Sequence, residues 1–206
     1  MTEPQNRIRA LIEIEKVDRI HNDLSNIAYR LKERVRTALE KNDRDGIGLD
    51  IMAALVMTAF TYEAYINFIG FSTIAPWRER DATPAKEGLV FEKLGLSFEA
   101  DQRPRKTTIA LRQVRNILAH GKPIDDSDAW ESVGTHDELD AEARAAFVPE
   151  WEEMVSPEFL FQAFDDVDVI WRAMLKAADI SVLETLRGGS RTITFLGHAE
   201  QTDLKT

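Results

Sequence analysis

The sequence predicts an all-α fold, an antiparallel helical bundle, on three observations. Val17, Ile20, Leu24, Ile27 and Leu31 recur at the spacing of one helix face, with charges between them. Residues 49–71 are apolar nearly all round, as a central helix requires. Residues 157–186 place Phe161, Phe164, Val167, Ile170, Trp171 and Met174 at core spacing. With 206 residues, 44% apolar and 30% charged, the chain has the size and composition of one domain with a sizeable core.

The elements follow in order. Residues 5–42 read as one long helix or two in line, and the run Asn42-Asp-Arg-Asp-Gly-Ile-Gly48 ends it. The second helix covers 49–71 and contains the uncharged run 51–62, too short to span a bilayer and set between Asp50 and Glu63. Residues 71–108 are broken by Pro76, Pro84, Gly88, Gly95 and Pro104, with one short helix expected over 89–94. Thr107 or Thr108 is placed to cap a helix that runs to His120, with Gly121 as its left-handed C-terminal residue and Pro123 beyond. A surface loop over 126–135 and two short helices precede the last long helix, which Gly188-Gly189 closes. Residues 191–195 would form a short strand, followed by a polar tail. The expected division is therefore a helical domain over 1–190 and a C-terminal segment over 191–206.

Charge is distributed unevenly. The chain carries −10, yet residues 102–124 hold Arg103, Arg105, Lys106, Arg112, Arg115 and Lys122 and no acid. A positive island in a negative protein suggests an anion site. Residues 125–168 hold fifteen acids against one base, Arg144. This band reads as solvated surface, or as a segment that folds over the basic groove and competes with RNA. An isoelectric point near 5.0 argues against nucleic-acid binding by the whole surface.

Within the island, RQVRNILAHGKP places Arg115, Asn116 and His120 at the end of the helix. Histidine moves protons near neutral pH, arginine holds a phosphate and an amide orients both. On a helix Ala110, Leu111, Val114, Ile117 and Leu118 form an apolar stripe, while Arg112, Arg115, Asn116 and His120 fall on the opposite arc. Asn116 and His120 stack four residues apart, but Arg115 and His120 diverge by about 140°. One helix converges them poorly on one phosphate. Two copies facing across a two-fold axis would do so, which makes a homodimer the expected partner arrangement. The plain alternative is a solvated helix end with His120 as a capping residue.

On the preceding apolar helix, Glu63 and Asn67 lie four apart on one face. They read as a hydrogen-bonded pair that fixes packing; in the alternative, Glu63 reaches Arg115 or Arg112 and holds the site from behind.

These residues resemble the HEPN superfamily, all-α domains of toxin–antitoxin, abortive-infection and CRISPR-associated systems. Its ribonucleases share an Arg followed by Asn, Asp or His, four to six intervening residues in all, and then a His. Arg115, Asn116 and His120 fit that pattern, after Tyr62-Glu-Ala-Tyr-Ile-Asn67 and Glu92-Lys-Leu-Gly-Leu96 in a similar layout. The recognisable pattern covers residues 45–123. The resemblance implies metal-independent RNA cleavage by 2′-OH attack, with His120 as general acid or base, Arg115 on the developing charge and Asn116 orienting. Read as an anion site, the basic island supplies Arg105, Lys106, Arg112 and Lys122 as substrate contacts, with Glu63 and Asn67 supporting the site from behind. The resemblance further implies a toxin or defence effector, with an antitoxin protein as partner. A non-catalytic HEPN-like module binding a nucleotide, RNA or a protein remains the alternative, and a purely structural interaction protein the third reading. The strong acidity departs from what an RNA-binding enzyme leads one to expect.

Other chemistry is not indicated. The absence of cysteine excludes disulfides, thiolate metal sites and cysteine nucleophiles, and it fits a reducing cytosol. The first nine residues have neither the apolar core nor the cleavage site of a secretory signal. His21, His136 and His198 have no neighbours that suggest metal ligation, and Asp125, Asp126 and Asp128 lack a calcium-loop pattern. Neither metal nor cofactor is expected. Trp77, Trp130, Trp151 and Trp171 are expected in the core or at an interface. Glycine-rich phosphate loops, G-x-S-x-G and H-E-x-x-H are lacking.

Overall fold

A computed structural model describes residues 8–121, 123, 127–146, 150–186 and 188–198. The chain is mostly helical and divides into two compact units: a helical one over Ile20–Thr185, and one formed by the two ends of the chain.

The helical unit is built around α2 (Ile47–Thr73), which packs on α1 (Ile20–Glu40), α3 (Thr83–Leu94), α4 (Arg105–His120) and α7 (Pro157–Ala178). Leu55, Ile66 and Ile69 of α2 are fully buried, against Val35, Val90, Leu111, Leu160, Ile170 and Met174 of the surrounding helices. By length and composition α2 would also suffice to cross a membrane; here it is the helix on which the other four long helices meet. Gly70 admits Trp77: a Cβ there would lie 2.2 Å from the indole ring. Beside this contact His21 is buried among Tyr65, Phe68 and Trp171, and Tyr65 stacks on Trp171 at 4.0 Å. Trp130 departs from the core expectation. It is half exposed, and its indole N–H donates to Glu142 of α5 (His136–Ala146) at 2.6 Å.

Several boundaries differ from the sequence reading. α3 begins six residues earlier than expected, at Thr83 with Pro84 in its first turn, where proline's missing N–H costs nothing. α4 begins at Arg105, so neither Thr107 nor Thr108 caps it; both are buried inside the helix, and the Thr108 hydroxyl donates to the Arg105 carbonyl. α7 starts with Ser156 accepting from Phe159 N–H but ends at Ala178, eight residues short of expectation. Asp179 takes the left-handed conformation, with φ 54°, and Ile180 N–H returns to the Leu175 carbonyl. That closing motif favours glycine, so an aspartate concealed it. Between α4 and α7, α5 and the single turn α6 (Glu150–Glu153) are the two short helices expected there. Thr135 and Glu138 form a capping box at the start of α5.

The first expected helix is corrected more deeply. Its beginning is a strand, β1 (Ile8–Val17), paired antiparallel with β2 (Gly188–His198). Ile8, Leu11 and Ile12 fit a helical stripe, but Ile12-Glu-Ile-Glu15 also alternates with period two, and β-branched isoleucine favours the strand. Leu11 faces Thr194 and Ile12 faces Ile193, with a bulge near Arg9. Gly189 is required because a Cβ there would approach the Glu15 carbonyl oxygen to 2.5 Å. The expected C-terminal strand is therefore present but longer than residues 191–195, and Gly188-Gly189 belongs to it rather than to a helix end. Its partner is the N-terminus. The division into 1–190 and 191–206 gives way to a two-stranded unit contributed by both ends.

Candidate functional site

The site is organised by how α4 sits against α2. Its buried residues are Thr107, Thr108, Leu111 and Val114, whereas Ile117 is 41% exposed. The buried arc is rotated by about 60° from the apolar stripe expected, away from Ile117 and towards Thr108 and Arg115. Thr108 satisfies its hydroxyl within the helix, on the Arg105 carbonyl, and Thr107 accepts from Gln162 of α7 at 2.9 Å, so both tolerate burial.

The rotation carries Arg115 inward. Its Nη2 donates to Glu63 Oε2 at 3.0 Å, and its guanidinium lies 6.0 Å from the Phe60 ring. Arg112 is likewise half-buried. The expectation that both arginines stand on the outward arc is therefore corrected: both are half-buried, and Arg115 is held on α2 by a carboxylate that the helix periodicity of α4 could not reveal. Asn116 and His120 remain exposed, and among the described residues neither side chain makes a hydrogen bond. Gly121 ends the helix in the left-handed conformation, φ 42°, with its N–H on the Ile117 carbonyl.

Glu63 and Asn67 do not pair with each other. Both accept from the ammonium of Lys86, at 3.2 and 2.9 Å, and the Glu79 carbonyl accepts a third bond at 3.2 Å. Lys86 is 1% exposed. Glu63 thus has one oxygen on Lys86 and the other on Arg115, a chain of alternating charge running from the interior to the motif helix. A second network lies beside it. The Tyr62 hydroxyl donates to the buried carboxylate of Glu87, which Arg105 approaches at 3.7 Å. Burial, followed by the Glu87 charge, pushes the Tyr62 phenol well above its ordinary range.

Sequence reasoning missed Lys86 and Glu87. Both share a helical stripe with Val90, Phe91 and Leu94, and charge on an apolar stripe is the signal that would have found them.

Tyr62, Glu63, Thr83, Thr108, Arg112 and Arg115 border a crevice of about 10 Å³ where α2, α3 and α4 meet, room for no more than a water. Arg112 Nη1 and Arg115 Nε are buried donors without a hydrogen-bond partner among the described residues. Donors of this kind suit an anion's oxygens.

The rest of the basic island is partly neutralised from elsewhere in the fold. Arg103 makes two 2.9 Å bonds to the buried carboxylate of Asp166 on α7. Arg105 donates to the Phe98 carbonyl and faces Glu87, so its charge is largely engaged. Lys106 is exposed, and Lys122 lies outside the described residues. The absence of acids in residues 102–124 therefore overstates the free positive charge. Compared with known proteins, the chain matches no family model, no curated protein and no solved structure.

Proposed function

We propose that the protein is a metal-independent endoribonuclease of HEPN type, acting in the cytoplasm as a toxin or defence effector, with Arg115, Asn116 and His120 as its catalytic group. The observation that carries this reading is the Lys86–Glu63–Arg115 chain. It holds the motif arginine in one place while Asn116, the next residue, and His120, five residues on, are left exposed for substrate. A catalytic arginine gains from such fixing, because its donors then need no reorganisation as charge develops.

In this mechanism the ribose 2′-OH attacks the adjacent phosphorus and the P–O5′ bond breaks, leaving a 2′,3′-cyclic phosphate and a 5′-OH. One His120 imidazole accepts the 2′ proton; a protonated one supplies the proton to the leaving 5′ oxygen. Arg115 and His120 diverge by about 140° on one helix. The second imidazole is therefore assigned to another copy of the chain, with the two motif helices facing each other and an RNA strand between them. The half-buried guanidinium groups of Arg112 and Arg115 provide donors for phosphate oxygens. Arg105, Lys106 and Lys122 add substrate contacts in this reading, of which Arg105 contributes least because Glu87 and Phe98 already occupy it. An antitoxin protein would be the natural regulator.

The same two arginines allow a second reading, a non-catalytic module that binds RNA or a nucleotide through Arg112 and Arg115. Incubation of purified protein with a mixed RNA pool in EDTA, wild type beside His120→Ala, separates the two. The enzyme predicts cleavage that falls by about 10²–10⁴-fold in the variant while RNA binding persists. Binding by both proteins with cleavage by neither would select the module.

A further inference from the structure

We propose that β1 is a self-complementary edge strand through which two copies of the chain pair antiparallel into one four-stranded sheet. β1 and β2 form a two-stranded sheet, so among the described residues of that unit each has one unpaired edge. An isolated two-stranded ribbon is marginally stable, and a free edge of ten residues is a template for another strand. This ribbon also exposes an apolar face: Ile8, Ile12 and Ile14 of β1 and Ile193 and Phe195 of β2 are each more than half exposed.

The sequence of β1 identifies the occupant. Read outward from Leu11, Ala10 is matched by Ile12, Arg9 by Glu13 and Ile8 by Ile14. In an antiparallel pair centred on Leu11, these matched residues stand opposite each other across the two-fold axis. Every Arg9 then faces a Glu13 of the other copy, twice per dimer. Ile8 faces Ile14, Ala10 faces Ile12, and Leu11 faces itself. In sequence the pattern extends one step further, with Arg7 against Glu15.

Other alignments are worse. A shift of one residue sets the apolar face against the charged one. Centring on Ile12 keeps an Arg9–Glu15 pair but leaves Glu13 opposite Leu11 and Lys16 opposite Ile8. β2 offers no such match, since Arg191 is its one charged residue apart from His198 and would face Phe195. Opposite charges across a strand pair stabilise it, and like charges directly opposite destabilise it. The charges on this edge therefore admit a second copy of this chain and disfavour strands of uniform charge.

Charge exchange tests the pairing. Arg9→Glu places four acids around the axis and Glu13→Arg places four bases there. Each single variant is expected to halve the mass of the wild-type assembly in sedimentation equilibrium and to weaken association about tenfold or more. Mixing the two variants restores the mass, because the acid introduced at position 9 of one chain then meets the base introduced at position 13 of the other. The double variant R9E/E13R restores it alone.

A second measurement does not depend on the charged variants folding. The chain has no cysteine, so Leu11→Cys places the sole thiol opposite its own copy, within disulfide reach. Mild oxidation should link Leu11→Cys into a covalent dimer and leave Ala10→Cys unlinked. An unchanged mass for Arg9→Glu, no rescue on mixing, or equal cross-linking at both positions would overturn the proposal. None of these outcomes depends on RNA cleavage, and His120→Ala should leave all of them unaltered.

Discussion

Lys86 is the residue on which the geometry of the motif helix depends most. Its ammonium is surrounded by the Glu63 carboxylate, the Asn67 amide oxygen and the Glu79 carbonyl, and its side chain is 2% exposed. Replacement by Met fills the volume but leaves these acceptors without their donor. The expected loss is about 2 kcal/mol, below the full cost of orphaning a buried charge because Glu63 keeps Arg115 and some solvent contact. Urea denaturation of Lys86→Met should show a lower midpoint at constant slope, whereas an unchanged midpoint would show that Lys86 does not hold the helices together.

Tyr62 makes a separate prediction. Its folded-state pKa is raised by burial and by Glu87, so the stability it contributes is fully present below the ordinary phenol pKa of about 10 and is lost as pH rises above it. Its ionisation, followed by ultraviolet absorbance, should appear only as the protein unfolds in alkali; titration of Tyr62 in the folded protein would contradict the packing described.

Among the elements, α4 shows how far periodicity reaches. Its end was legible, since Gly121 after His120 is a strong stop signal and takes the left-handed conformation. Its orientation was not. A count of apolar residues centred the buried face on Val114 and Ile117, but buried threonines and an inward arginine turned it towards α2. The partners of Arg115 and Thr107 lie on other elements, 52 and 55 residues away in the chain.

The opposite end of α4 is fastened to α7 by Arg103 and Asp166. Arg103→Ala should lower the unfolding midpoint, because it leaves a buried carboxylate unpaired, and adding Asp166→Ala should recover part of that loss. Chemical denaturation of the two single variants and the double variant would show this coupling; strictly additive losses would deny it. β1 teaches a related lesson. Its apolar residues satisfied both periods, and only the isoleucine content and the strict alternation of residues 12–15 pointed to a strand.

At the scale of the whole molecule, the central position of the apolar second helix and the mostly helical fold were readable, because an apolar surface on all sides leaves a helix no place but the middle. The pairing of the two chain ends was not readable, since strand partners 170 or more residues apart leave no local trace. The candidate site was legible as a set of residue types, but its supporting charges, Lys86 and Glu87, entered only with the fold. The basic island likewise lost part of its charge to Asp166 and Glu87 once the helices were packed.

The proposed function rests on the chemistry of His120. The direct measurement is end-group analysis of RNA incubated with the purified protein in EDTA. Wild type should leave 2′,3′-cyclic phosphates and 5′-hydroxyls, and His120→Ala should leave the RNA intact. Products ending in a 3′-hydroxyl and a 5′-phosphate, or equal cleavage by the variant, would contradict that chemistry.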